Sequence, residues 1–349
     1  MFYKYLILLL LFNFNFQYAY ILSMNTRILL NKKIEYNQKL SSTMKKNNKL
    51  YTQSLFQNDY DSNNSKMAII TGGTRGIGFG IATSLAESNY DLILTYNANK
   101  KRAEQSKRIL ENEYGIFVKL VGGDISLKNT RDLIFNIYDK NYKNTHELEV
   151  IIHNAGQYIG ITSDNYIVKK NKKIIKFGDS SILSNTGEVN MDEIKYYQAL
   201  YGDAYIDICE RGLVRMSKKG GSLIGVSSSG CSNFYNPVSG YDLPGTGKCI
   251  MEYAMRYIAL RCAKNNINCN IIIPEPIKTD ALNKMKKYIL QLKNETSSHG
   301  YDNMMSEYYP MGYSSPKQIG DIVRFLCSQE GRIINGVSLP IDGGGHLKL

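Results

Sequence analysis

Short apolar runs alternate with segments whose apolar residues recur at helical spacing, from Met67 to about Gly345. The runs Met67–Ile70, Asp91–Tyr96, Phe117–Val121, Ser222–Val226 and Asn268–Ile273 read as strands. Leu148–Gly156 reads as a buried strand ending in a turn, and Gly336–Gly344 as a terminal strand and turn. Helical spacing covers Phe79–Leu85, Lys101–Glu113, Asn129–Tyr142, Asp192–Met216, Lys248–Ala263 and Asp321–Cys327. Strands separated by helices predict an α/β fold, a doubly wound parallel sheet in a single domain over 67–349. The segment 157–190 is irregular and carries the run Lys169-Lys170-Asn171-Lys172-Lys173, a solvated loop or a dock for an acidic carrier. The helix Lys248–Ala263 is apolar around most of its girth, with Ile250, Met251, Ala254, Met255, Ile258, Ala259 and Cys262. That breadth predicts cover on more than one face, hence a homodimer or homotetramer.

Upstream of the body the pattern changes. Residues 1–23 hold one basic residue and the apolar run Tyr5–Phe12, which suits the core of a signal peptide. The run is short for a membrane span, although an uncleaved leader would anchor the chain in the endoplasmic reticulum membrane. Residues 24–66 are rich in Asn, Lys and Ser and resemble a transit segment. A cleavable leader in two parts predicts delivery through the secretory pathway to an organelle such as a secondary plastid (apicoplast). Of the net +12, residues 1–66 carry +6. The mild excess left on the body suits anionic ligands, and no basic stripe interleaved with aromatics points to nucleic acid. The six cysteines show no ligand spacing and the four histidines are scattered, so no metal site is predicted.

The most specific segment is Thr71-Gly72-Gly73-Thr74-Arg75-Gly76-Ile77-Gly78. It follows an apolar run and opens a helical one. Glycines there allow a tight turn and let the backbone approach a pyrophosphate, which the N–H groups of a helix N-terminus then hold. With it come His153-Asn154-Ala155-Gly156, Asp124 after the third strand, Pro274-Glu275-Pro276-Ile277-Lys278-Thr279, and a tail running from Pro310-Met311-Gly312 to Asp342-Gly343-Gly344. In that order these residues resemble the short-chain dehydrogenase/reductase family over 67–349, with a Rossmann-like fold. The motifs are TGxxxGxG, NNAG with His153 for the first Asn, and PGxxxT with Glu275 for the Gly.

The resemblance implies a nicotinamide cofactor contacting Thr71, Gly72, Thr74, Arg75, Gly76, Ile77, Gly78, Asn97, Asp124, Ile125, Asn154, Ala155, Gly156, Lys248, Pro274, Ile277 and Thr279. The second strand ends in Thr95-Tyr96-Asn97-Ala98-Asn99, without the acid that binds a ribose 2′-hydroxyl, and Lys100-Lys101 follow. Arg75 resembles the arginine set against a 2′-phosphate, so NADPH is expected. The implied catalytic group is Ser228, Tyr241 and Lys248, with Ser227 or Ser229 able to replace Ser228. Lysine would lower the pKa of the tyrosine, which stabilises the developing oxyanion.

Pro244 stands where the common Tyr-x3-Lys spacing would put tyrosine. Tyr241 gives Tyr-x6-Lys, a step of nearly two helical turns that can return both side chains to one face. That spacing, with Tyr96–Arg102 and Pro276–Leu282, resembles the enoyl-acyl-carrier-protein reductase branch. The implied substrate is an acyl thioester of fatty-acid synthesis, on an acyl carrier protein or coenzyme A. The interval from Ser228 to Lys248 is about three residues longer than usual, and Tyr201 replaces the family's active-site Asn, with Gln198 the nearest amide. These departures leave open a 3-oxoacyl thioester or other carbonyl reductase and a cofactor-binding regulator without turnover. His153 is expected to be a satisfied residue at a strand end.

Overall fold

Seven strands pair in parallel in the order β3-β2-β1-β4-β5-β6-β7. They are β1 Ser65–Thr71, β2 Tyr90–Tyr96, β3 Val118–Gly122, β4 His146–His153, β5 Gly221–Val226, β6 Ile267–Pro274 and β7 Ser338–Ile341. The computed structural model describes residues 64–157, 182–183, 187–232, 235–237, 241–292, 297–309 and 311–347. The leader, nearly all of the basic segment after it and the 169–173 lysine run lie outside these residues.

The strands are near-continuous Ile, Leu and Val runs because both sheet faces are covered. Met67, Ala68, Ile69 and Ile70 are wholly buried, with successive side chains entering opposite cores. One core is roofed by helices α1 (Gly76–Ala86), α2 (Lys100–Tyr114) and α9 (Pro316–Cys327). The other lies under α3 (Lys128–Asn141), α4 (Met191–Tyr197), α5 (Ala204–Leu213) and α6 (Asp242–Cys262). Local signals set the ends of several helices. Asn99 accepts the Arg102 N–H at the start of α2, Gly115 closes it at φ +66°, and Ser315 with Gln318 forms a capping box on α9. Two further helices, α7 (Asp280–Leu292) and α8 (His299–Tyr308), follow β6 and were not anticipated from the sequence.

Two expectations need correction. The long helix is not continuous: Gln198–Asp203 forms a π-helical turn between α4 and α5. Helix α6 begins at Asp242, six residues earlier than its apolar spacing suggests. Tyr241 is therefore its N-cap residue, at φ −103° and ψ 0°, rather than a helical residue above Lys248.

The breadth of apolar surface on α6 also resolves differently. Met251, Met255, Ile258, Ala259 and Cys262 are buried in the chain's own core. Other residues face outward: Tyr253, Tyr257 and Leu260 are 70%, 63% and 82% exposed.

Candidate functional site

The strand order reverses between β1 and β4, and the carboxyl ends of these two strands open the cleft that doubly wound folds use for ligands. The glycine turn leaves β1 there and leads into α1. Gly72 and Gly76 sit at φ +62° and +53°, backbone that side chains with a Cβ rarely adopt. A Cβ on Gly78 would lie 2.3 Å from the Gly72 carbonyl oxygen, so the helix starts against the turn only with glycine there. Thr74, Arg75, Gly76 and Ile77 line the cleft with Asn97, Asp124, Ile125, Asn154, Ala155, Gly156 and Thr279. The sequence-derived cofactor residues are thus brought largely to one cleft. Gly78 acts beneath it as a packing glycine. Pro274 ends β6 opposite Ile341, and Ile277 is buried and bridges to Ser314.

One hydroxyl braces the two cleft turns. Thr71 Oγ1 accepts the Asn154 and Ala155 N–H groups at 3.0 and 2.9 Å. Asn154 Nδ2 donates to the carbonyls of Thr71 and Gly72. His153 completes the brace, with Nε2 at 3.1 Å from the Leu200 carbonyl and Nδ1 at 3.1 Å from Thr71 Oγ1. A carbonyl can only accept, so Nε2 carries the proton and Nδ1 accepts from Thr71. Burial pushes the imidazole pKa down to about 4, so it is neutral in the fold. His153 is the satisfied strand-end residue expected of it.

Beside the end of β2 the cleft is lined by Arg75, Asn97, Asn99 and Arg102, and that strand end places no acid there. Arg102 escaped the sequence reading. It lies in the first turn of α2 and pairs with Asp280 of α7 at 2.7 Å across the mouth. Asp124 lines the cleft too; its Oδ1 accepts the Ser126 N–H at 2.9 Å, and the Tyr196 hydroxyl is 3.4 Å from its Oδ2. Left-handed glycines, a helix N-terminus and two guanidinium groups make a donor set fit for a phosphorylated dinucleotide.

The second cluster lies where β5 ends. Lys248 Nζ donates to Ser228 Oγ at 2.9 Å, which brings together two of the three expected catalytic residues. Burial pulls the Lys248 pKa down, and Cys231, Glu275 and Glu252 oppose that by favouring the ammonium. Tyr241 packs against the same serine loop: a Cβ on Gly230 would lie 2.8 Å from its ring.

Tyr201, at the position of the missing Asn, is buried in the π turn. Its hydroxyl bonds both the N–H and the carbonyl of Gln157 at 3.2 Å, and its ring lies 4.9 Å beneath Lys248 Nζ. Burial holds that phenol far above its ordinary pKa, so it stays neutral. Ser229 and Ser227, the alternatives to Ser228, bond elsewhere. Ser229 Oγ donates to Glu275 at 2.9 Å, and Ser227 Oγ to Glu252 at 2.6 Å. Among the described residues no group of three or more His, Cys, Asp or Glu side chains could hold a metal ion.

Comparison with known proteins agrees with this geometry. A family profile described as Enoyl-(Acyl carrier protein) reductase matches residues 72–346. The chain belongs to the short-chain dehydrogenase/reductase family. A member from Pestalotiopsis microspora is 23% identical over 282 residues, 80% of this chain and 94% of that protein. The 3-oxoacyl-[acyl-carrier-protein] reductase of Aquifex aeolicus is 24% identical, over 80% of this chain and 96% of its own. The NADH-dependent enoyl-[acyl-carrier-protein] reductase of Buchnera aphidicola is 25% identical, over 81% and 95%. Among solved structures, L-sorbose reductase from Gluconobacter frateurii, complexed with NADPH and L-sorbose, superposes with a TM-score of 0.67. It is 21% identical and covers 82% of this chain and 98% of its own. As a short-chain dehydrogenase/reductase, the protein is an oxidoreductase.

Proposed function

We propose that the protein is an NADPH-dependent reductase of the 2,3 double bond of an enoyl thioester, working in fatty-acid synthesis. The observation that carries this reading is the pairing at the end of β5. Lys248 is held by Ser228, and Tyr241, seven residues before the lysine, packs on that loop, with Pro244 in the commoner place. The match to the enoyl-reductase profile supports it.

NADPH supplies a hydride when bound; the chain's own groups do the rest. Arg75 and Arg102 bind the 2′-phosphate, and the turn at Gly72–Gly78 holds the pyrophosphate. The Tyr241 hydroxyl bonds the thioester oxygen as negative charge develops on it, and the Lys248 ammonium favours that charge. A carbonyl reductase acting on 3-oxoacyl thioesters is the second reading, supported by the Aquifex relative. NADPH oxidation by the full chain with a crotonyl and an acetoacetyl thioester separates the two. Turnover confined to acetoacetyl would reject the enoyl assignment.

Arg75→Ala is expected to weaken NADPH binding about tenfold or more while leaving NADH binding nearly unchanged, as for one lost charge-assisted contact. Titration of both cofactors by fluorescence checks this, and equal losses would move the 2′-phosphate elsewhere. We also propose a homo-oligomer seated on the outward face of α6. Leu260→Lys with Tyr257→Lys should dissociate it in sedimentation at micromolar concentration, and a wild-type monomer under the same conditions would end that reading. The basic leader supports delivery to an organelle through the secretory pathway.

A further inference from the structure

Three consecutive serines at the end of β5 each bond a different ionisable residue. Ser227 donates to Glu252 of α6, Ser228 accepts from Lys248 of α6, and Ser229 donates to Glu275 at the end of β6. One loop thus gathers two carboxyls around an ammonium. Resting on the reductase reading, we propose that Glu275 is a positioning residue of the reduction centre, the half-buried counter-charge that holds Lys248 as an ammonium.

The two carboxyls are not equivalent. Glu252 accepts from three hydroxyls, those of Ser227, Ser232 and Ser338, which spread its charge and pin α6 to β5 and β7. Burial pushes the Glu275 carboxyl above its usual range and the Asp342 charge adds to this, while the hydroxyl and N–H of the single residue Ser229, and Lys248, favour its charged form. Asp342 is meanwhile engaged by the Tyr235 hydroxyl and the His346 and Gly344 N–H groups. A charge on Glu275 is offset by its hydrogen bonds from Ser229 and then by Lys248, and Lys248 and Glu275 each favour the charged form of the other.

The described groups around the lysine fit this account. Tyr201 in the π turn offers a ring face and Ser228 offers an oxygen. Cys231 is buried and its thiol pKa is raised, so its thiolate favours the ammonium only at alkaline pH. Tyr241 stands at the head of α6 and Tyr309 of the segment after α8 faces Glu275. A glycine at position 275, as in the family pattern, would remove one of these two carboxyls from the lysine.

The test compares wild type, Glu275→Gln and Glu275→Asp in the full chain. Lysine labelled with carbon-13 at Cε is titrated by NMR, the Lys248 signal being the one missing from Lys248→Met. In Glu275→Gln this signal should titrate about one pH unit or more below wild type, whereas Glu275→Asp should stay within about half a unit. Turnover must fall as pH rises and the ammonium is lost, so the alkaline fall should move to lower pH in Glu275→Gln, in kcat more than in KM. If Glu275→Gln does not fold, Ser229→Ala carries the same test. It removes the hydroxyl donor that stabilises the carboxylate, leaving the Ser229 N–H, and should shift the lysine in the same direction by less. A Lys248 titration in Glu275→Gln or Ser229→Ala that coincides with wild type overturns the proposal, as does an unmoved pH–rate profile. If wild type reduces neither thioester, the reductase reading fails, while the NMR titration still decides whether Glu275 charges Lys248.

Discussion

Tyr241→Phe is expected to lower turnover of the preferred thioester by roughly a hundredfold or more, the scale of losing a main transition-state donor. NADPH affinity should stay within about twofold, because the hydroxyl serves the substrate oxygen and not the cofactor. Keeping the ring preserves its packing on Gly230, so the fold is not at issue. Stopped-flow NADPH oxidation with parallel fluorescence titration measures both quantities. If Tyr241→Phe keeps full turnover while Tyr201→Phe loses it, the oxyanion donor is the buried phenol of the π turn. The x6 assignment then falls.

Lys248→Met should behave differently. It removes the ammonium from Ser228, from the Tyr201 ring and from Glu275 at once. Turnover should drop by roughly a hundredfold or more and NADPH affinity should fall with it, since the family resemblance places Lys248 among the cofactor contacts. Thermal stability should hold or rise, because an apolar chain of similar length replaces a buried charge and Glu275 can take up a proton. Melting scans beside the kinetic assays check this. Lost turnover accompanied by a collapsed melting temperature would instead make the lysine a structural group.

The sheet was legible because its signal is periodic. The central strands are buried apolar runs, and the structure moves the strand ends by only a few residues. The glycine turn was legible because backbone sterics dictate its composition: Gly72 and Gly76 need positive φ and Gly78 has no room for a Cβ. The start of α6 was obscured by Pro244, Gly245 and Gly247, all poor helix formers. Pro244 is the third helical residue, within the first turn where no intrahelical partner for an N–H is lost. The outward face of α6 was misread because tyrosines and Leu260 interleave with the core set, and composition alone does not say which set the sheet covers. Arg102 was missed because a charged residue in a first helical turn reads as solvated. Its partner Asp280 lies 178 residues away. Glu275 was visible only as a missing glycine, since nothing in sequence order brings it to Ser229 and Lys248.

The Thr71–His153 brace has a thermodynamic consequence. Thr71, Asn154, His153 and Leu200 tie the ends of β1 and β4 to the π turn through buried bonds that involve no ligand. The walls of the cleft are therefore already ordered before anything enters. Filling a preorganised cleft costs little conformational entropy, so more of each contact made by an incoming ligand appears as affinity.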